Sequence, residues 1–104
     1  MIDGQLNQLK YLVIIAEKNN KEEFLSLLKE YGARSIETTY CHGSAPNSIT
    51  AAFGFASEQN KVQISCLTKH HSAEKLIDIL YNKYNFNKPN TGIAFTIPIE
   101  GLSF

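Results

Sequence analysis

The sequence predicts a single α+β domain over residues 1–104, with the element order β-α-β-β-α-β. Its four strands form one antiparallel sheet with both helices on one face. Three observations predict this: a repeat at a spacing of 52, a helical apolar period inside each copy, and strand-like stretches that are apolar on both faces. The repeat pairs Leu12 with Ile64, Ile14 with Cys66, Phe24 with Leu76, Leu25 with Ile77, Leu27 with Ile79 and Leu28 with Leu80. Each copy reads strand, polar turn, helix, and a further extended segment follows each helix. Two such halves with right-handed crossovers make the ferredoxin-like arrangement.

The first strand is the β-rich apolar run 11–16, followed by a solvated turn at Glu17, Lys18 and Asn19. Asn20 is the expected N-cap, and Glu22 and Glu23 fall in the first turn, where the helix dipole favours anions. Phe24, Leu27, Leu28 and Tyr31 stand at i, i+3, i+4 and i+7, one face of a helix. Gly32 can end that helix in a left-handed conformation that costs other residues energy. Residues 34–42 form the second strand. A turn-rich loop follows: Cys41, His42, Gly43, Ser44, Ala45, Pro46, Asn47 and Ser48. The apolar stretch 49–56 and the break 57–60 then make strands two and three an arm that extends beyond the sheet.

Residues 62–67 alternate apolar and polar, as a strand does. Ser72 is the expected N-cap of the second helix, whose apolar face is Ala73, Leu76, Ile77, Leu80 and Tyr84. The polar segment 85–92 holds Lys88 and ends in Gly92. It could cradle an anion on backbone N–H groups, or it could be an ordinary helix-to-strand connection. The last strand, 93–99, puts Ile93, Phe95, Ile97 and Ile99 on one face and Ala94 on the other. In the first strand Leu12 and Ile14 point one way, Val13 and Ile15 the other. Strands apolar on both faces are buried on both. The helices cover one face only, and another subunit is the simplest cover for the second.

Ten basic and ten acidic residues cancel, which argues against a binder of nucleic acid or of an anionic membrane. The longest apolar run, 12–16, is too short to cross a bilayer. The opening residues lack a basic region followed by an apolar stretch, so a cytoplasmic location is expected. Cys41 and Cys66 have no CxxC spacing and read as free thiols. Cys41-His42 and His70-His71 are residue types that suit zinc or copper, yet nothing in the sequence brings the two pairs together. No nucleophile–base pair and no paired-carboxylate motif marks an enzyme.

The C-terminal stretch KPNTGIAFTIPIEG resembles the end of the nitrogen-regulatory PII family, in which a glycine-rich B-loop enters the final strand. The likeness runs from Tyr11 to Glu100. It includes the strand–helix–glycine opening, a T-loop position at 41–48 and the third strand KVQISCL. It implies a homotrimer with inward-facing sheets and an adenine nucleotide held between subunits. It also implies a loop that reports the bound state to a transporter or enzyme. Carried over by residue, it places Asn90, Thr91 and Gly92 at the phosphates, with Lys88 the nearby cation. Gly43 stands at the start of the T-loop, Leu67 near the base of the cleft, and Glu37 and Thr39 where the second strand lines it. Residues 41–48 become the partner-contacting loop.

Three departures are visible. Ile93 replaces the family's lysine after the B-loop glycine, and no arginines follow the last strand. The T-loop is shorter, lacks a tyrosine and has Ala45 at its second glycine. The chain is therefore expected to be a divergent member, with AMP or ADP serving at least as well as ATP. The alternatives on the same fold are a metal binder of the copper-tolerance type and a small enzyme.

Overall fold

The computed structural model describes residues 9–40, 61–89 and 91–99. Strand β1 (Leu9–Glu17) leads through a 3-10 turn (Lys18–Asn20) into helix α1 (Lys21–Glu30). Strands β2 (Arg34–Tyr40) and β3 (Lys61–Lys69), helix α2 (His70–Asn82) and strand β4 (Gly92–Pro98) follow. The four strands make one sheet in the order β2-β3-β1-β4, every neighbouring pair antiparallel. This is the ferredoxin-like arrangement expected. The apolar stretch 49–56, the break 57–60 and the loop 41–48 lie outside the described residues. Among the described residues, no helix is long and apolar enough to cross a membrane.

Register decides which side chains share a face. Leu12 lies beside Cys66, Ile14 beside Ile64 and Ala16 beside Val62. These six form the core with Phe24 and Leu28 of α1 and Leu76 and Leu80 of α2. Successive strand residues alternate faces, so Tyr11, Val13 and Ile15 fall on the opposite, open face, next to Ile97, Phe95 and Ile93 of β4. The structure narrows the expected need for cover. Val13 and Ile15, with Lys61 and Ser65 of β3 on the same face, are already buried in the single chain, whereas Ile97 on the edge strand is 47% exposed.

The helix ends follow backbone chemistry more closely than side-chain capping. Asn20 occupies the N-cap of α1 as expected, but its side chain caps nothing. Gly32 adopts φ +78. The Gly32 N–H reaches Lys29 O at 3.0 Å and the Ala33 N–H reaches Leu28 O at 3.0 Å, a Schellman closure. Helix α2 corrects the expectation for Ser72. The helix starts at His70, with Lys69 at its N-cap in an extended conformation. β3 runs straight into the helix, which leaves no turn for Ser72 to cap. His70 and His71 are thus helical, and His70 Nε2 stands 2.6 Å from Glu74 Oε1 one turn on.

Candidate functional site

Residues of all four strands meet on one rung at the end of the sheet where β2 leaves and β3 enters. Tyr40 pairs with Val62, Val62 with Ala16, and Ala16 with Gly92. The next rung inward is Thr39, Gln63, Ile15 and Ile93. Tyr40 and Gly92 therefore mark the same level on opposite edges, three strand spacings or about 14 Å apart.

A bulge sets the face that β2 presents. Ser35 has φ 53, and the pairing with β3 gains one residue between Arg34 and Glu37. Without it Glu37 would point to the helices, because one residue of slip exchanges the two faces. With it, Glu37 stands beside Ser65 and Thr39 beside Gln63 on the open face, while Ile36 packs on the core. Leu67 is further off. It pairs with Tyr11 and Arg34, four residues or about 13 Å along β3 from Gln63.

The segment before β4 has a specific internal order. Asn85 takes a left-handed turn at φ 63, a conformation that asparagine tolerates better than most residues. The Phe86 N–H then donates to Leu80 O at 3.0 Å and the Lys88 N–H to Asn85 O at 2.9 Å. Phe86 turns inward and stacks edge-on against Phe24, with ring centroids 5.8 Å apart. Its ring also lies on the backbone of Gly92, where an added Cβ would come within 2.8 Å of three ring carbons. A side chain at 92 would therefore force the buried Phe86 ring to shift. Lys88 is exposed and Thr91 half-buried; the Thr91 hydroxyl lies 3.4 Å from Pro89 O. Asn90 and Gly43 lie outside the described residues.

Cations cluster at the β2 edge of the same end. Lys21 Nζ donates to the Tyr40 hydroxyl at 2.6 Å, and this bond, ahead of the partly opposing cost of burial, raises the Lys21 pKa. Lys18 Nζ stands 4.8 Å from the centre of the same ring. On the open face Lys61, almost fully buried, meets Glu17 at 2.6 Å. Sequence reasoning missed these contacts, having read Glu17 and Lys18 as a solvated turn. The available signal was the position of Lys61 and Tyr40 on the strand ends that flank the loop.

Cys66 is fully buried in the core, and burial pushes its thiol up to about 11. At neutral pH it stays protonated and is a poor nucleophile or ligand. Among the described residues, no three His, Cys, Asp or Glu side chains converge. An open groove of about 710 Å³ runs along α2, lined by residues that include Lys10, His71, Ile77, Tyr81 and Thr96. None of the residues expected to hold a nucleotide lines it.

The sequence matches the profile described as Nitrogen regulatory protein P-II over residues 9–103. No curated protein is similar enough in sequence to match. Among solved structures, a PII-like signaling protein of Thermus thermophilus is 20% identical, with a TM-score of 0.63 over 86% of this chain and 84% of its own. CPII of Thiomonas intermedia K12, a nitrogen regulatory PII-like protein bound to ADP, AMP and bicarbonate, is 19% identical. Its TM-score is 0.63 over 91% of this chain and 93% of its own. PII of Arabidopsis thaliana, bound to citrate, is 16% identical, with a TM-score of 0.61 over 90% of this chain and 79% of its own.

Proposed function

Because the chain belongs to the nitrogen regulatory protein P-II family, a family of signalling proteins rather than enzymes, we propose that it is a cytoplasmic homotrimer that senses an adenine nucleotide or a similar small anion. The effector lies between subunits, and the loop 41–48 passes the bound state to a transporter or enzyme. One observation carries this reading: Thr39 and Glu37 lie on one edge of the sheet, while Thr91 and Gly92 lie on the other. Within one chain the two sets are about 14 Å apart across the sheet. Copies packed with their open faces inward would bring the β2 edge of one beside the β4 edge of the next, on either side of one cleft. The exposed Ile97, beside Tyr11 on the open face, gives those copies an apolar surface to bury.

In this reading Lys88 supplies the nearby cation, Asn90, Thr91 and Gly92 face the phosphates, and Glu37, Thr39, Gly43 and Leu67 line the rest of the cleft. Ile93 stands beside Ile15 on the open face and offers no charge to a phosphate. A triphosphate therefore forgoes charge-assisted hydrogen bonds worth roughly 1.5–3 kcal/mol each. Losing two of them weakens binding by about two to four orders of magnitude. ADP and AMP, which CPII holds, lose less. Calorimetry with AMP, ADP and ATP tests the reading. Micromolar binding of AMP or ADP, with ATP no tighter, is expected. Clear preference for ATP would overturn the role given to Ile93, and binding of none would remove the nucleotide.

A further inference from the structure

The function proposed above places Lys88 and Thr91 at a ligand, but both side chains belong to a short polar segment with little of its own to hold it. Asn87, Lys88 and Pro89 are exposed. What anchors the segment is at its two ends. Phe86 enters it from the turn at Asn85, and Gly92 leaves it into β4. The Phe86 ring is 7% exposed, sits on the Gly92 backbone and meets Phe24 of α1 edge-on at an interplanar angle of 80°. Tyr84, two residues earlier, holds the same Phe24 ring at 5.1 Å. One aromatic ring thus joins the neck of the segment to a helix and to the edge of the sheet.

We propose that Phe86 is a positioning residue. By closing the neck of the 86–92 segment on Gly92, its ring sets where Lys88 and Thr91 stand, without touching the ligand itself. The Phe86 N–H bond to Leu80 O and the Lys88 N–H bond to Asn85 O fix the entry turn, and the ring fixes the exit. An aliphatic side chain at 86 would still fill the core, but it would lack the flat surface that lies on a glycine. The two residue types are therefore linked. Gly92 must be small because residue 86 is a ring, so the positions are coupled: shrinking one relaxes the demand on the other.

The ligand half of this proposal rests on the nucleotide reading; the neck itself does not, and the test separates the two. Phe86→Leu, Gly92→Ala and the double variant are compared with wild type for urea stability, for amide exchange at Asn87, Lys88 and Thr91, and for binding of ADP and adenosine. Phe86→Met replaces Phe86→Leu if the latter does not fold. In the single variants, Phe86→Leu speeds exchange at the three amides and Gly92→Ala lowers stability. The double variant loses less than the sum of the two. ADP affinity falls about tenfold in Phe86→Leu, as for the loss of one hydrogen bond, while adenosine, which carries no phosphate, is unchanged. A ring that merely filled the core would weaken both ligands alike or neither, and that result overturns the proposal. If wild type binds neither ligand, the nucleotide reading fails instead. The neck then stands or falls on the other two measurements: additive stability losses, or exchange unchanged in Phe86→Leu, overturn it.

Discussion

Tyr84 Oη donates a 2.6 Å hydrogen bond to Glu23 Oε2, tying the turn beyond α2 to the first turn of α1. That bond, then burial, then the carboxylate charge push the Tyr84 phenol up to about 12 from an ordinary value of 10. A group whose folded pKa is raised contributes stability that is complete below the unfolded pKa and is lost as pH climbs through the folded one. The contribution is therefore intact below pH 10 and disappears between about 10 and 12. Phenolate absorbance should show one tyrosine titrating late in wild type and near its ordinary value in Glu23→Gln. An unchanged late tyrosine in Glu23→Gln would assign the shift elsewhere.

The left-handed residues should respond oppositely to two substitutions. Gly32 has φ +78 with open space around its Cα, so Gly32→Ala meets no clash and costs only the backbone penalty, about 1–2 kcal/mol. Asn85→Gly, at φ 63, removes that penalty and costs little or stabilises slightly. Urea midpoints at constant m-value measure both. A Gly32→Ala variant as stable as wild type would mean that the Schellman turn does not depend on this dihedral.

Ile97 is 47% exposed on the face that the proposed trimer buries, beside Tyr11. Ile97→Glu would place a charge in that interface, where an unpaired buried charge is severely unfavourable. Light scattering should give a trimer for wild type and a monomer for Ile97→Glu. A monodisperse wild-type monomer at micromolar concentration would sink the assembly.

Cys66 should be chemically silent. It is fully buried, with its thiol held near 11, so a disulfide reagent at pH 8 can reach it only through opening of the core. In a Cys41→Ser background, labelling should be slow in buffer and fast in urea. Rapid stoichiometric labelling of the native variant would contradict the burial.

Most of the scaffold was legible because its signals are local. The 52-residue repeat appears in space as β1 and β3, nine residues each and offset by that same interval. The helical stripes around Phe24 and Leu76 were also readable, since 3.6-residue periodicity survives in sequence. The repeat breaks at two places: α2 starts 49 residues after α1, three fewer than the interval, and β4 starts 58 residues after β2, six more, the added chain being the segment ending at Gly92. What sequence could not show was contact between distant residues. Gly92 stood out as room for a phosphate, and nothing local told that the Phe86 ring also lies on it. Lys18 is exposed as expected, but its position over the Tyr40 ring could not be read. The bulge at Ser35 left no trace either, because serine carries none of the preference for positive φ that glycine or asparagine announces.

That bulge has a consequence for how the protein avoids unwanted company. β2 is an edge strand, and a straight edge is a template on which further strands can add without end, the route to fibres. Ser35 breaks the ladder, while Arg34 and Glu37 put opposite charges along it. At the other edge β4 finishes in Pro98, which has no N–H to offer a newcomer. With both rims spoiled for open-ended growth among the described residues, a trimer of the kind proposed would associate through side chains on the sheet's face, an association that closes on itself and stops.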